Sequence, residues 1–143
     1  MPEQAGREES GFGEPVATLK VQWRDVDALG HVNNAVYVSY LESARLEYYE
    51  KTFGEEGFHR FPFIIAEITV KFLSPAYIKE LLDLHIRISE VGRKSFRFRY
   101  AIRSRTDGRV VCEAESVQVF YDYEAGRTVE VSDEWKAIAG MPA

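Results

Sequence analysis

Between residues 25 and 34 the chain gathers two carboxylates, an imidazole and two amides in one short run, Asp25-Val-Asp-Ala-Leu-Gly-His-Val-Asn-Asn34. The residues after it read as a helix, so the run ends where a helix begins. A helix N-terminus offers unpaired N–H groups and a partial positive charge, which stabilise a developing oxyanion without any cationic side chain. If a carbonyl oxygen meets the backbone N–H at Asn34, Asp27 on the preceding loop can stand on the other side of the carbonyl carbon. A solvated aspartate is ionised at neutral pH, ready to activate water or to attack directly. That pairing suits a thioester better than an amide, because a thiolate leaves without strong protonation.

The same residues have plainer readings. Asp27 can serve an Asx-type turn, and Asp25 can cap the turn or pair with an arginine. His31 can orient substrate or Asp27, or simply bond the loop backbone. Asn33 and Asn34 are both helix-capping candidates, and the oxyanion role at Asn34 would use its backbone. Asp25, Asp27 and His31 are too few for a calcium or magnesium site, whose oxygen ligands come in larger sets. The single cysteine, Cys112, rules out an internal disulfide and a multi-cysteine zinc site. Neither a metal nor a cofactor is expected.

Around this run the elements follow from periodicity. Ala17 to Trp23 alternates Val21 and Trp23 with Lys20, Gln22 and Arg24, a first half-buried strand. After the asparagines, Tyr37, Tyr40, Leu41, Ala44 and Tyr48 recur at three-to-four spacing, one apolar stripe of a helix that ends near Phe53 before Gly54 and Gly57. From Phe61 to Glu130 the pattern is sheet. Ile64, Ala66, Ile68, Val70 and Phe72 alternate with polar neighbours, as do Leu82, Leu84, Ile86 and Ile88, and then Phe96, Phe98, Tyr100 and Ile102. Glu90-Val-Gly92 and Thr106-Asp-Gly108 supply hairpin turns. In Val110 to Tyr123 the apolar phase moves from Val110, Cys112 and Ala114 to Val117, Val119 and Tyr121, which a β-bulge near Glu115 or changed surroundings would explain. Ser132 caps a short C-terminal helix. The result is an α+β arrangement whose long helix fits against the concave face of a curved antiparallel sheet.

The 143 residues suit one domain, expected at 16–143 behind a flexible leader at 1–15 rich in Gly and Glu. A formal charge of −5 opposes attraction to phosphate backbones or anionic lipid, so neither nucleic acid nor membrane is expected as a partner. Apolar runs fall well short of the ~20 residues that span a bilayer, and the first residues have no signal-peptide or transit pattern, so a cytoplasmic location is expected.

Val21-x-Trp23-x-Asp-x-Asp-x-x-Gly-His-Val-Asn-Asn-x-x-Tyr37, with Glu42 and Arg45 after it, resembles the hotdog-fold acyl-CoA thioesterases of the 4-hydroxybenzoyl-CoA thioesterase type. The likeness extends to Phe72-Leu-Ser-Pro-Ala76 and Val91-Gly-Arg-Lys-Ser-Phe96, covering about Ala17 to Tyr123. The resemblance implies a long central helix wrapped by a five- or six-stranded sheet, an acyl-CoA substrate, and homodimers or tetramers of dimers whose sites are shared between subunits. Its catalytic carboxylate matches Asp27 and its oxyanion N–H falls at Asn34, with His31 beside them. Asn33 and Tyr37 stand as substrate-contact candidates, and Lys71, Arg93 and Lys94 as cations for the phosphates of coenzyme A. Departures from the family pattern at Leu29 and His31 leave the acyl class open. A dimer of the same fold that binds acyl or CoA groups without turning them over is the alternative.

Overall fold

The computed structural model describes residues 12–54 and 63–138. The expected leader up to residue 11, Gly57 and Phe61 lie outside the described residues. In chain order the elements are β1 (Ala17–Lys20), a 3-10 turn (Trp23–Asp25), α1 (Asn34–Phe53), β2 (Phe63–Phe72), β3 (Leu81–Val91), β4 (Ser95–Ser104), β5 (Val110–Asp122), β6 (Arg127–Thr128) and α2 (Asp133–Ile138). The six strands form one antiparallel sheet in the order β1-β3-β4-β5-β2, with β6 beside β5. This is the expected long helix on an antiparallel sheet.

The core lies between α1 and one sheet face. Tyr37, Tyr40, Leu41 and Ala44 of the helix stripe are buried there with Leu82, Leu84, Phe96, Phe98, Tyr100 and Ile102, and Tyr49 joins them while the expected Tyr48 is only half-buried. At the far end of α1, Trp135 of α2 stacks on Phe96 at 4.9 Å and meets Phe53 at 5.3 Å, closing that end of the groove with aromatic rings. Trp135 N–H donates to Ser132 Oγ at 3.3 Å, so the expected serine starts α2.

Two expectations about strand phase are corrected. The first strand stops at Lys20, because Asp25 Oδ2 accepts from Gln22 N–H at 2.9 Å and winds the chain into the 3-10 turn. Trp23 is therefore not a half-buried strand residue but 80% exposed. In β2 the pairing steps from Ile65↔Gln118 to Glu67↔Val117, so Ala66 is an extra residue. Phe63 and Ile65, rather than Ile64 and Ala66, share the helix-facing side with Ile68, Val70 and Phe72.

Of the two explanations for the phase change in β5, a bulge near Glu115 is absent, since pairing with β4 runs without a shift from Cys112 to Val119. The helix-facing side of β5 continues through Ser116, Gln118 and Phe120, all buried. Those polar core positions are satisfied internally: Tyr100 and Ser116 share a hydroxyl hydrogen bond, Ser116 bonds Gln118, and Arg45 Nη1 donates to Tyr100 Oη at 3.2 Å. Gln118 Nε2 donates to the Ser116 carbonyl at 3.0 Å. Polar side chains can occupy a core when they are bonded in this way. The changed surroundings, not a bulge, produce the apparent phase change.

Candidate active site

The run from Asp25 to Asn34 folds as a hairpin-like loop onto the first turn of α1. Val26 and Val32 form an antiparallel bridge, Asp27 N–H donates to the His31 carbonyl at 3.2 Å, and Gly30 N–H donates to the Asp27 carbonyl at 3.0 Å. Gly30 sits at φ +88°, a conformation that costs glycine little and explains glycine at the loop tip. The loop is tied to its surroundings by Asn33 N–H donating to the Asp25 carbonyl at 2.9 Å and by Val32 N–H donating to the Ala76 carbonyl at 2.8 Å. Leu29 at the tip is 78% exposed.

Asn33 is the N-cap: its Oδ1 accepts from Ala35 N–H at 2.9 Å, and its carbonyl accepts from Val36 N–H at 2.9 Å. Two of the four orphan donors of the helix start are thereby used. The Asn34 N–H has no hydrogen-bond partner among the described residues.

Asn34 lines an open cleft of about 270 Å³ with His31 and Tyr37 from the loop and α1, and the end of β2 and the loop after it supply Phe72, Ser74 and Pro75 as its second wall. Leu73 and Ser74 N–H groups both donate to the Val111 carbonyl, at 3.0 and 3.3 Å, which fixes that second wall to β5. Arg109 Nη2 reaches the Pro75 carbonyl at 3.0 Å while pairing with both oxygens of Glu80 at 3.0 Å. Sequence reasoning did not single out Glu80 or Arg109, because nothing in their spacing shows that the β4–β5 turn reaches the loop after β2.

Asp27 lies on the loop beside this cleft. Its Oδ1 accepts from Leu29 N–H at 2.9 Å, the Asx-turn contact, and its Oδ2 has no partner among the described residues. Tyr37 is buried under the cleft, with its ring 5.5 Å from Phe72 and 5.8 Å from Tyr40. Burial pushes its hydroxyl up to about 12, helped by Cys112 and Glu80 and opposed by Arg109 and the Ala76 backbone, so Tyr37 stays neutral. Burial also drives the Cys112 thiol up to about 12, with Glu113 adding to it, which leaves Cys112 an unreactive core group.

The cations are distributed differently. Lys71 stands opposite Glu113 near the cleft end of β2, on the sheet face turned away from α1. Arg93 and Lys94 occupy the β3–β4 turn, where Arg93 pairs with Glu130 at 2.9 Å and Lys94 reaches Thr128 Oγ1 at 3.4 Å. β3 starts beside β1 at the cleft end and runs eleven residues, roughly 35 Å at about 3.3 Å per residue, so that turn lies at the opposite end of the sheet. Within one chain the structure does not bring Arg93 and Lys94 to Asn34. Among the described residues no helix is long and apolar enough to cross a membrane.

Comparison with known proteins gives a consistent picture. The family model described as the thioesterase-like superfamily matches residues 21–138. The long-chain acyl-CoA thioesterase FadM of Escherichia coli K12 is 27% identical over 118 residues, 81% of this chain and 89% of its own length. The acyl-CoA thioester hydrolase YbgC of Escherichia coli O6:H1 is 28% identical over 107 residues, 73% of this chain and 79% of its own. Among solved structures, a Thermus thermophilus thioesterase complexed with coenzyme A and zinc superposes with a TM-score of 0.78 at 28% identity, covering 89% of this chain and 97% of that one. A mutant 4-hydroxybenzoyl-CoA thioesterase complexed with 4-hydroxybenzoyl-CoA shares the fold at a TM-score of 0.73 and 23% identity, covering 86% and 96%.

Proposed function

Because the chain belongs to the thioesterase-like superfamily, we propose that Asp27 and the first turn of α1 carry out hydrolysis of an acyl-CoA thioester to a free acid and coenzyme A. The observation that carries this reading is the Asn34 N–H, left without a protein partner among the described residues at a cleft beside the loop that holds Asp27. The thioester carbonyl oxygen accepts from that N–H, and the helix terminus stabilises the negative charge that develops on it. Asp27 Oδ2 then acts on the carbonyl carbon in one of two ways. As a general base it takes a proton from water, the hydroxide adds, and collapse of the tetrahedral adduct breaks the C–S bond, the proton passing to the thiolate. As a nucleophile it forms an acyl anhydride and releases the thiolate, and water then cleaves the anhydride. His31, on the cleft wall, orients the acyl carbonyl.

Among the described residues no group of three or more His, Cys, Asp or Glu side chains is placed to hold a metal ion.

The site is completed by a second copy of the chain. Strand β2 pairs only with β5 among the described residues, which leaves a ten-residue free edge bearing exposed Ile64, Ile65 and Phe72. An open apolar edge invites pairing, and a twofold axis is the commonest way to close it. Antiparallel pairing of β2 with its copy sets the Phe72 end of one strand beside the Phe63 end of the other. Phe63 is opposite Phe120, whose N–H donates to the Lys94 carbonyl at 2.8 Å, so the partner's β3–β4 turn approaches this chain's cleft. In that arrangement the second copy supplies the Arg93 and Lys94 positions to the coenzyme A phosphates, from a homodimer or a tetramer of dimers.

The decisive experiment measures thiol release from short, long, aromatic and hydroxylated acyl-CoAs by the wild type and by Asp27→Asn. The near-isosteric variant is expected to lose roughly 10²–10⁴-fold in turnover while keeping its oligomeric state. Full activity in Asp27→Asn overturns the assignment, and a wild type that binds acyl-CoA but releases no thiol overturns the hydrolase reading.

A further inference from the structure

The loop that carries Asp27 has little apolar anchorage of its own. Trp23 and Leu29 point into solvent, Val21 and Val32 are fully buried at its two ends, and Val26 between them packs half-buried against the core, so hydrogen bonds must hold the remainder of the loop in place. Three of them are accepted by Asp25. Its Oδ2 accepts from Gln22 N–H at 2.9 Å and from the Tyr40 hydroxyl at 2.9 Å, and its carbonyl accepts from Asn33 N–H at 2.9 Å.

These contacts join three parts of the site. Gln22 is where the chain leaves β1, Asn33 is the cap of α1, and Tyr40 projects from the second turn of α1. Tyr40 is itself immobilised: it is buried and packs edge-on against Tyr37 at 5.8 Å. Its hydroxyl is also a dependable donor, because burial first and the Asp25 carboxylate second push its ionisation far above the ordinary tyrosine range.

We infer that Asp25 and Tyr40 are positioning residues that clip the Asp27 loop to α1 and so fix the distance between the Asp27 carboxylate and the Asn34 N–H. The inference rests on the assignment of Asp27 and Asn34 as the reacting pair. Both groups must address one carbonyl, Asp27 its carbon and the Asn34 N–H its oxygen, and a misplacement of about 1 Å can cost on the order of 10²-fold in rate. Neither Asp25 nor Tyr40 is among the residues that line the cleft; each acts through the loop.

The test compares wild type, Asp27→Asn, Tyr40→Phe, Asp25→Asn, Asp25→Ala and the double variant Tyr40→Phe/Asp25→Ala in thiol release, with melting temperature measured on each. Tyr40→Phe removes one hydroxyl and leaves the ring packing. It is expected to lower kcat by about 10–100-fold with KM little changed and melting close to wild type. Asp25→Asn keeps an acceptor oxygen and is expected to retain more activity than Asp25→Ala. The double variant is expected to lose no more than Asp25→Ala alone, because both substitutions break one clip.

Wild-type kcat in Tyr40→Phe, or losses that multiply in the double variant, overturns the clip while leaving Asp27 standing if Asp27→Asn is inactive. Full activity in Asp27→Asn removes the underlying assignment and the clip with it. Should Tyr40→Phe fail to fold, the two Asp25 variants decide: equal kcat in Asp25→Asn and Asp25→Ala overturns the proposal.

Discussion

The Phe72 ring of β2 and the Tyr37 ring of α1 meet with centroids 5.5 Å apart, so the free-edge strand and the start of the helix come together at the cleft. The two rings differ in what they support. Tyr37 is 2% exposed and belongs to the core, whereas Phe72 is 47% exposed. Tyr37→Ala is expected to cost about 3–5 kcal/mol in urea unfolding, in line with other large-to-small aromatic core changes. Phe72→Ala is expected to cost much less and to appear instead as a raised KM for acyl-CoA. Equal destabilisation by the two substitutions would contradict this division.

The two adjacent asparagines should separate cleanly. Asn33 uses its side chain as the cap, and Asn34 presents its backbone to the cleft. Asn33→Ala is expected to cost about 0.5–2 kcal/mol, the usual loss for a cap, and to lower kcat because the helix start frays. Asn34→Ala keeps the N–H and should retain most activity. Chemical denaturation and steady-state kinetics on both variants check the contrast.

Stability is expected to fall in alkali. Cys112 rises from its ordinary value near 9 to about 12 in the folded chain, and Tyr37 from near 10 to about 12. Burial, as the largest cause, also raises Tyr40, Tyr48, Tyr49 and Tyr100. The unfolded chain therefore releases these protons before the folded one does, and the folded state binds more protons throughout that window. Stability is intact below about pH 9 and declines as pH rises toward about 12. A melting temperature that stays flat across this range would show that these groups are not buried. Tyrosinate absorbance of the buried rings should develop together with unfolding rather than ahead of it.

The edge of β2 supplies a test of assembly. Ile65 faces the α1 side of the sheet, opposite Gln118, and is 38% exposed. Ile65→Lys sets a charge where a second copy would pack, a device that natural edge strands use to stay unpaired. Light scattering is expected to show dissociation, and turnover should fall with it because each cleft loses the partner's cations. A monomeric variant with undiminished activity would show that one chain suffices.

Much of the frame was legible because it depends on local periodicity. Asparagine before a three-to-four stripe gave α1, the Asp-Gly turn at Gly108 gave one hairpin, and Ser132 gave the start of α2. For β5 the sequence leaves a bulge and changed surroundings both open, because Ser116 and Gln118 look like surface residues until Tyr100 and the Phe96 and Ser116 carbonyls are in place to bond them. β2 was misread because the extra residue at Ala66 reverses the facing of everything before it, and a run of Ile and Ala carries no mark of where the bulge falls.

By itself the sequence determined that an aspartate-bearing loop precedes a capped helix, since that requires only neighbours in the chain. The tertiary structure alone decided which groups share the cleft. Ser74 and Pro75 come to line the cleft with Asn34, and Arg109 comes to hold Pro75, because β2 and β5 pair in one register from Glu67 to Phe72. Arg93 and Lys94 fall at the far end because β3 is eleven residues long and extended. Tyr40 meets Asp25 because a helix turn brings one side chain back over the loop that precedes it. Distances between residues remote in sequence are set by strand length, register and crossing, and no spacing along the chain encodes them.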